Sequence, residues 1–135
     1  MSPEQLLGLD IAADTFVVAD FEAGIGTLTR LGETTVDAVV VVTDPTVKSL
    51  EIASRAAVLA DGLTSGPIVI VANRMLDDAD RDAVERALLG RTVVLVPEDD
   101  AIGAADRADT APLDASPHSP AVAALSGLAA LLVGS

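Results

Sequence analysis

The sequence predicts an α/β fold: a mostly parallel sheet of about four strands, flanked by helices in three layers. Three observations carry this prediction. Four short runs are apolar at successive positions instead of alternating, as strands buried on both faces of a parallel sheet are. Helical apolar stripes lie between the later runs. Strand and helix alternate along the chain, as in βαβ units.

Taken in order, the runs are Phe16-Val17-Val18-Ala19-Asp20, Ala38 to Thr43, Ile68 to Ala72 and Thr92 to Val96. From Thr46 to Leu63, Leu50, Ala53, Ala57 and Leu59 or Ala60 fall near one stripe, which predicts a helix. From Asp78 to Leu89, Ala83, Val84, Ala87 and Leu88 do the same. The punctuation agrees. Asp44 or Thr46 can cap the first of these helices, and Pro45 suits its first turn. Gly66-Pro67 marks entry to the third run, Asp77 or Asp78 can cap the second helix, and Gly90 stands where a helix stop belongs. Residues 109–120 hold Pro112, Pro117 and Pro120 and predict an irregular loop before a final helix, Ala121 to Val133. There is no internal repeat, so residues 1–135 are expected to form a single domain.

Composition excludes several functions. A net charge of −13 opposes a nucleic-acid phosphate backbone, which needs clustered Lys and Arg, and anionic membranes for the same reason. Without Cys there is no disulfide, thiolate catalysis or Cys-based metal site. Met1 to Asp14 lacks the basic and apolar regions of a signal peptide, and Ala121 to Val133 is shorter than the roughly 20 residues of a membrane span. A cytoplasmic protein is expected. His118, the single histidine, sits in the Pro-rich stretch without a placed partner. The carboxylate runs at Asp77-Asp78-Ala79-Asp80 and Glu98-Asp99-Asp100 suit helix caps and solvated faces better than cation sites.

The first run ends in Asp20-Phe21-Glu22-Ala23-Gly24. Ligands of open α/β sheets bind at strand carboxyl ends, where two carboxylates can hold magnesium and orient a water. Asp20 can equally begin a turn or cap a short helix. From Phe16 through Arg30 the segment resembles the Walker B and switch region of the MinD/ParA-type ATPases, and within them the CooC-like accessory ATPases. Further motifs follow in the same order: Val39 to Pro45 with its Thr-Asp-Pro turn, Ser49-Leu50-Glu51 through Arg55, Val69 to Arg74 with its Asn-Arg strand end, and Val94 to Asp99 with Pro97. The resemblance covers about residues 15 to 115, the later part of a P-loop NTPase or Rossmann-like domain. It implies ATP and Mg²⁺ as ligands. By the same resemblance Asp20 is the carboxylate near the metal, and Glu22, Ala23 and Gly24 form the nucleotide-sensing switch. Asn73 contacts adenine through its donor and acceptor amide, flanked by Pro97 and Asp99. Read without the resemblance, Asn73 is a strand-end turn residue and Pro97 a strand terminator. The chain departs from the pattern after the switch, where Gly26-Thr27 replace the usual Glu-His, and it lacks the Cys pair by which some members bind nickel.

The larger departure is a missing phosphate loop. The single lysine, Lys48, precedes Ser49, yet Val42 and Val47 occupy both glycine positions, and Pro45 and Asp44 remove a donor and add a repelling charge. Gly24 and Gly26 lack a third glycine and a basic partner. The chain is therefore expected not to hydrolyse ATP alone. In the family the phosphate-loop strand lies between the strand at Phe16 and the strand at Val39, so its absence leaves a gap. Either those strands pair directly, or a homodimer or protein partner supplies the missing half, or the sequence is a truncated or split member. A non-catalytic interaction or regulatory module derived from the same fold is the alternative function.

Overall fold

A computed structural model describes residues 15–20 and 35–134. Three parallel strands form the sheet in the order β1-β2-β3: β1 (Val39–Thr43), β2 (Ile68–Met75) and β3 (Thr92–Pro97). Among the described residues the helices are α1 (Val47–Ala60), α2 (Asp78–Ala87), α3 (Asp100–Arg107), a single turn α4 (Pro112–Ala115), and α5 (Pro120–Val133). The α/β class and the parallel sheet agree with the sequence. The number of strands does not: the described residues hold three strands, not four, because residues 15–20 form none. Phe16 and Val18 are 78% and 87% exposed. A β-branched run becomes a strand only where a neighbour takes up its backbone N–H and C=O groups, and no described strand does so here.

The register sorts the valines onto two faces. Val41 lies beside Ile70 and Ile70 beside Val93; Val42 lies beside Val71 and Val71 beside Val94. On the first face Ile70 and Ala72 pack with Leu50, Ala53 and Ala57 of α1 and with Val84 and Leu88 at α2. The alanines of α1 let the helix approach the strands closely; Ala57 and Ala60 are fully buried. On the second face Val71 and Val96 pack with Ala121 of α5, supported by Ile102, Ala124 and Leu128. This gives three layers over β2 and β3.

The caps follow from the sequence with small corrections. Thr46 caps α1 by accepting from the Ser49 N–H, so Pro45 lies just outside the helix. Asp77 caps α2 by accepting from the Asp80 N–H at 2.9 Å. Helix α2 stops at Ala87, and Gly90 then turns the chain with φ +81°, a conformation glycine adopts freely. The stretch 109–120 is not wholly irregular, since Pro112 starts the turn of α4 as proline commonly does at a first helical position. Gly66 is required by close approach: a Cβ there would stand 2.0 Å from the Asp37 carbonyl oxygen. Among the described residues no helix is long and apolar enough to cross a membrane.

Candidate functional site

All three strands run the same way, so their carboxyl ends lie along one edge of the sheet. Thr43-Asp44 leaves β1, Asn73-Arg74 lies near the end of β2, and Pro97-Glu98-Asp99 leaves β3. The central strand is irregular there. Ala72 pairs with Leu95 and Met75 with Pro97, so Asn73 and Arg74 together oppose the single Val96. This bulge puts Arg74 at φ 59°, the left-handed region. For an L-residue other than glycine that conformation costs roughly 1–2 kcal/mol. Bulges and strained backbone concentrate where a strand end must aim a side chain. Both residues are exposed, and the Asn73 amide makes no hydrogen bond to another described side chain.

The neighbouring helix N-termini are already occupied by the chain's own oxygens. Asp44 Oδ1 accepts from the Thr46 N–H at 3.0 Å and from the Thr46 hydroxyl at 2.6 Å. These bonds, the hydroxyl first, hold the Asp44 carboxyl below the usual range, with a smaller contribution from the positive charge of Arg74. At α2, Asp77 caps the helix and Asp80 Oδ2 accepts from the Leu76 N–H at 2.9 Å. At α3, Asp99 accepts from the Ala101 N–H through Oδ1 and from the Ala121 N–H, at the start of α5, through Oδ2. The Ala121 bond, then the Ala101 bond, keeps Asp99 ionised to lower pH than an ordinary aspartate.

The predicted site residues therefore separate. Asn73, Pro97 and Asp99 lie at the carboxyl ends of the adjacent strands β2 and β3. Pro97 is half-buried opposite Met75 and does terminate β3. Asp99 has both carboxylate oxygens engaged in joining α3 to α5, which leaves Asn73 as the member of the three with free polar atoms. Asp20 is exposed, and no hydrogen bond or ion pair links it to the strand ends. Glu22, Ala23 and Gly24 lie outside the described residues. Among the described residues no three His, Asp or Glu side chains gather as metal ligands. Lys48, in the first turn of α1, is exposed, and Pro45 and Asp44 stand between it and the end of β1. Sequence reasoning missed Arg74. The Asn-Arg strand end was visible, but the bulge depends on how β2 registers with β3.

What these observations define is a parallel α/β unit whose exposed polar group lies at the end of its central strand. Comparison adds no relative to it: no protein-family model matches the chain, and no curated protein matches it either.

Proposed function

We propose that this chain is a nucleotide-binding protein of the CooC/MinD/ParA type that holds a base-binding subsite, lacks the phosphate loop and does not hydrolyse ATP alone. The bulge at Asn73 and Arg74 is the observation that supports this reading most directly. An exposed carboxamide with an unused donor and acceptor suits the paired donor and acceptor of adenine. In an open α/β sheet its position at a strand carboxyl end is where a ligand belongs.

The same end fits a triphosphate poorly. Phosphate binds helix N-termini through unpaired N–H groups and the positive end of the helix dipole. Here Asp44, Asp77, Asp80 and Asp99 already use N–H groups at three of those ends. Magnesium demands near-octahedral oxygen ligands, and Asp20 alone is one such ligand. A phosphate loop, with the ATP and Mg²⁺ it would hold, then has to come from a second copy or a protein partner. Cytoplasmic residence and a fourth strand at Phe16–Asp20 belong to the same reading.

Calorimetry on the full chain with adenosine and with ATP, each with and without Mg²⁺, tests it. Adenosine and ATP are expected to bind within roughly threefold of each other, and Asn73→Ala to weaken both by about tenfold, the worth of a lost hydrogen-bonding pair. Absence of heat with either ligand removes the nucleotide reading. Binding that is far tighter for ATP and depends on Mg²⁺ removes the claim that phosphate is not held. The second reading, a non-catalytic interaction module, is favoured by α5. That helix carries no charge from Pro120 to Val133 and leaves Leu125, Leu131 and Val133 exposed.

A further inference from the structure

β1 is unfinished on two sides. Among the described residues it pairs with β2 alone, so its other edge is open. Its second face is also uncovered: Val40 and Val42 are 38% and 67% exposed, whereas Val71 beside Val42 is buried under α5. An open edge of four valines and a threonine is a template for another strand. Residues 16–20 are the converse, a five-residue run with strand composition that pairs with none of the described strands.

The two segments share one pattern. In Phe16-Val17-Val18-Ala19 the first and third residues are exposed and the others half-buried; in Val39-Val40-Val41-Val42 the second and fourth are exposed and the others half-buried. Aligned at their carboxyl ends, Asp20 with Asp44, they set Phe16 beside Val40 and Val18 beside Val42 on the same face. Eighteen residues separate Asp20 from Val39, more than the dozen a parallel crossover needs. We propose that Phe16–Asp20 docks in parallel on the free edge of β1, Phe16 beside Val40 and Val18 beside Val42, closing the gap directly and bringing Asp20 to the same sheet edge as Asn73. The inference rests on the four-strand reading of the sheet but not on nucleotide binding.

Two considerations favour this occupant over a second copy. A tethered segment meets β1 at a high effective concentration, whereas a copy meets it at the protein concentration. Two chains of net charge −13 also repel, and antiparallel pairing of their β1 edges would bring the Asp44 of each close to the Asp37 of the other. The internal arrangement has one like-charge contact, Asp20 with Asp44. There the Asp44 charge is already drawn toward the N-terminus of α1 by its two bonds from Thr46.

The chain contains no cysteine, so engineered thiols report without background. Neighbouring strands are about 4.8 Å apart, inside the Cα range of a disulfide. Val18→Cys with Val42→Cys, both at exposed positions, is expected to form an internal disulfide under mild oxidation. It should do so at least about tenfold faster than the register-shifted pair Val17→Cys with Val42→Cys, because disulfide geometry is restrictive. In the unmodified chain, the β1 amides that point away from β2 are expected to be protected from hydrogen exchange, and Val18→Pro to release them. Freely exchanging outward amides in the unmodified chain overturn the proposal even if a variant misfolds. Equal oxidation of the two pairs, or covalent dimers of the single Val42→Cys variant in place of internal closure, also overturns it.

Discussion

At the scale of single residues, Arg74 has an unfavourable backbone. Its left-handed φ of 59° belongs to a residue that gains nothing from a local side-chain bond of the kind Asn or Asp can make. Asp109, at φ 53°, makes a useful contrast. It follows the Ala108 cap of α3, its N–H reaches the Asp106 carbonyl and the Thr110 N–H reaches Ala105, the pairing that normally recruits glycine after a helix. Arg74 stands instead within the bulge of β2, beside the exposed Asn73. Arg74→Gly relieves the strain and is expected to raise stability by about 0.5–1 kcal/mol, after the entropic cost of glycine in the unfolded chain. Urea unfolding measures the gain; a loss of stability would show that the Arg74 side chain supports the fold.

At the scale of elements, the helices are fastened by carboxylates. Asp99 is the most consequential, because its two oxygens join the N-terminus of α3 to that of α5, twenty-two residues away. Asp61 makes a second link, a two-pronged pair with Arg91 at 2.9 Å on each prong, tying the end of α1 to the start of β3. That pair is exposed, and salt is expected to weaken it. Asp99→Asn is expected to lower the melting temperature by about 2–5 °C at neutral pH, as loss of a charged cap does. The sign of its pH dependence follows from the bonds. Asp99 has its folded pKa depressed, so the stability it adds is fully present above the ordinary aspartate range and lost as pH falls through the folded value. The gap between the two proteins should therefore close below about pH 4. A gap that stays constant into acid would mean that the carboxylate charge plays no part.

At the scale of the whole molecule, stability is concentrated around β2. Val69, Ile70, Val71 and Ala72 are all buried, while β1 and β3 flank β2 as the outer strands among the described residues. Ile70, fully buried, packs against both α1 and α2 on the first face of the sheet. Ile70→Ala is expected to cost about 2–5 kcal/mol, read from chemical denaturation, because the surrounding alanines offer little that can move into the space. A cost below about 1 kcal/mol would mean that the layers close around the cavity. The uneven cover of the second face, with α5 over β2 and β3 but not over Val40 and Val42, is also a property of the whole fold.

Local chemistry made much of this legible. The apolar runs at β1, β2 and β3 and the Leu50–Ala53–Ala57 stripe were legible from residues close in sequence, as were the turn at Gly90 and the pairs of candidate caps, Asp44 or Thr46 and Asp77 or Asp78, from which the structure takes Thr46 and Asp77. The same kind of pattern at Phe16 to Asp20 did not suffice. A strand's hydrogen bonds go to another segment, and composition can offer those groups without providing their partner. Tertiary structure likewise decided the fate of Asp99: sequence placed it at a strand end, but the Ala121 N–H that takes its second oxygen arrives only when α5 docks on the sheet. It decided the bulge at Arg74 too, since that extra residue exists only relative to Val96 across the strand pair. Groups fixed by short-range bonds could be read in order along the chain, whereas those fixed by long-range pairing waited on the fold.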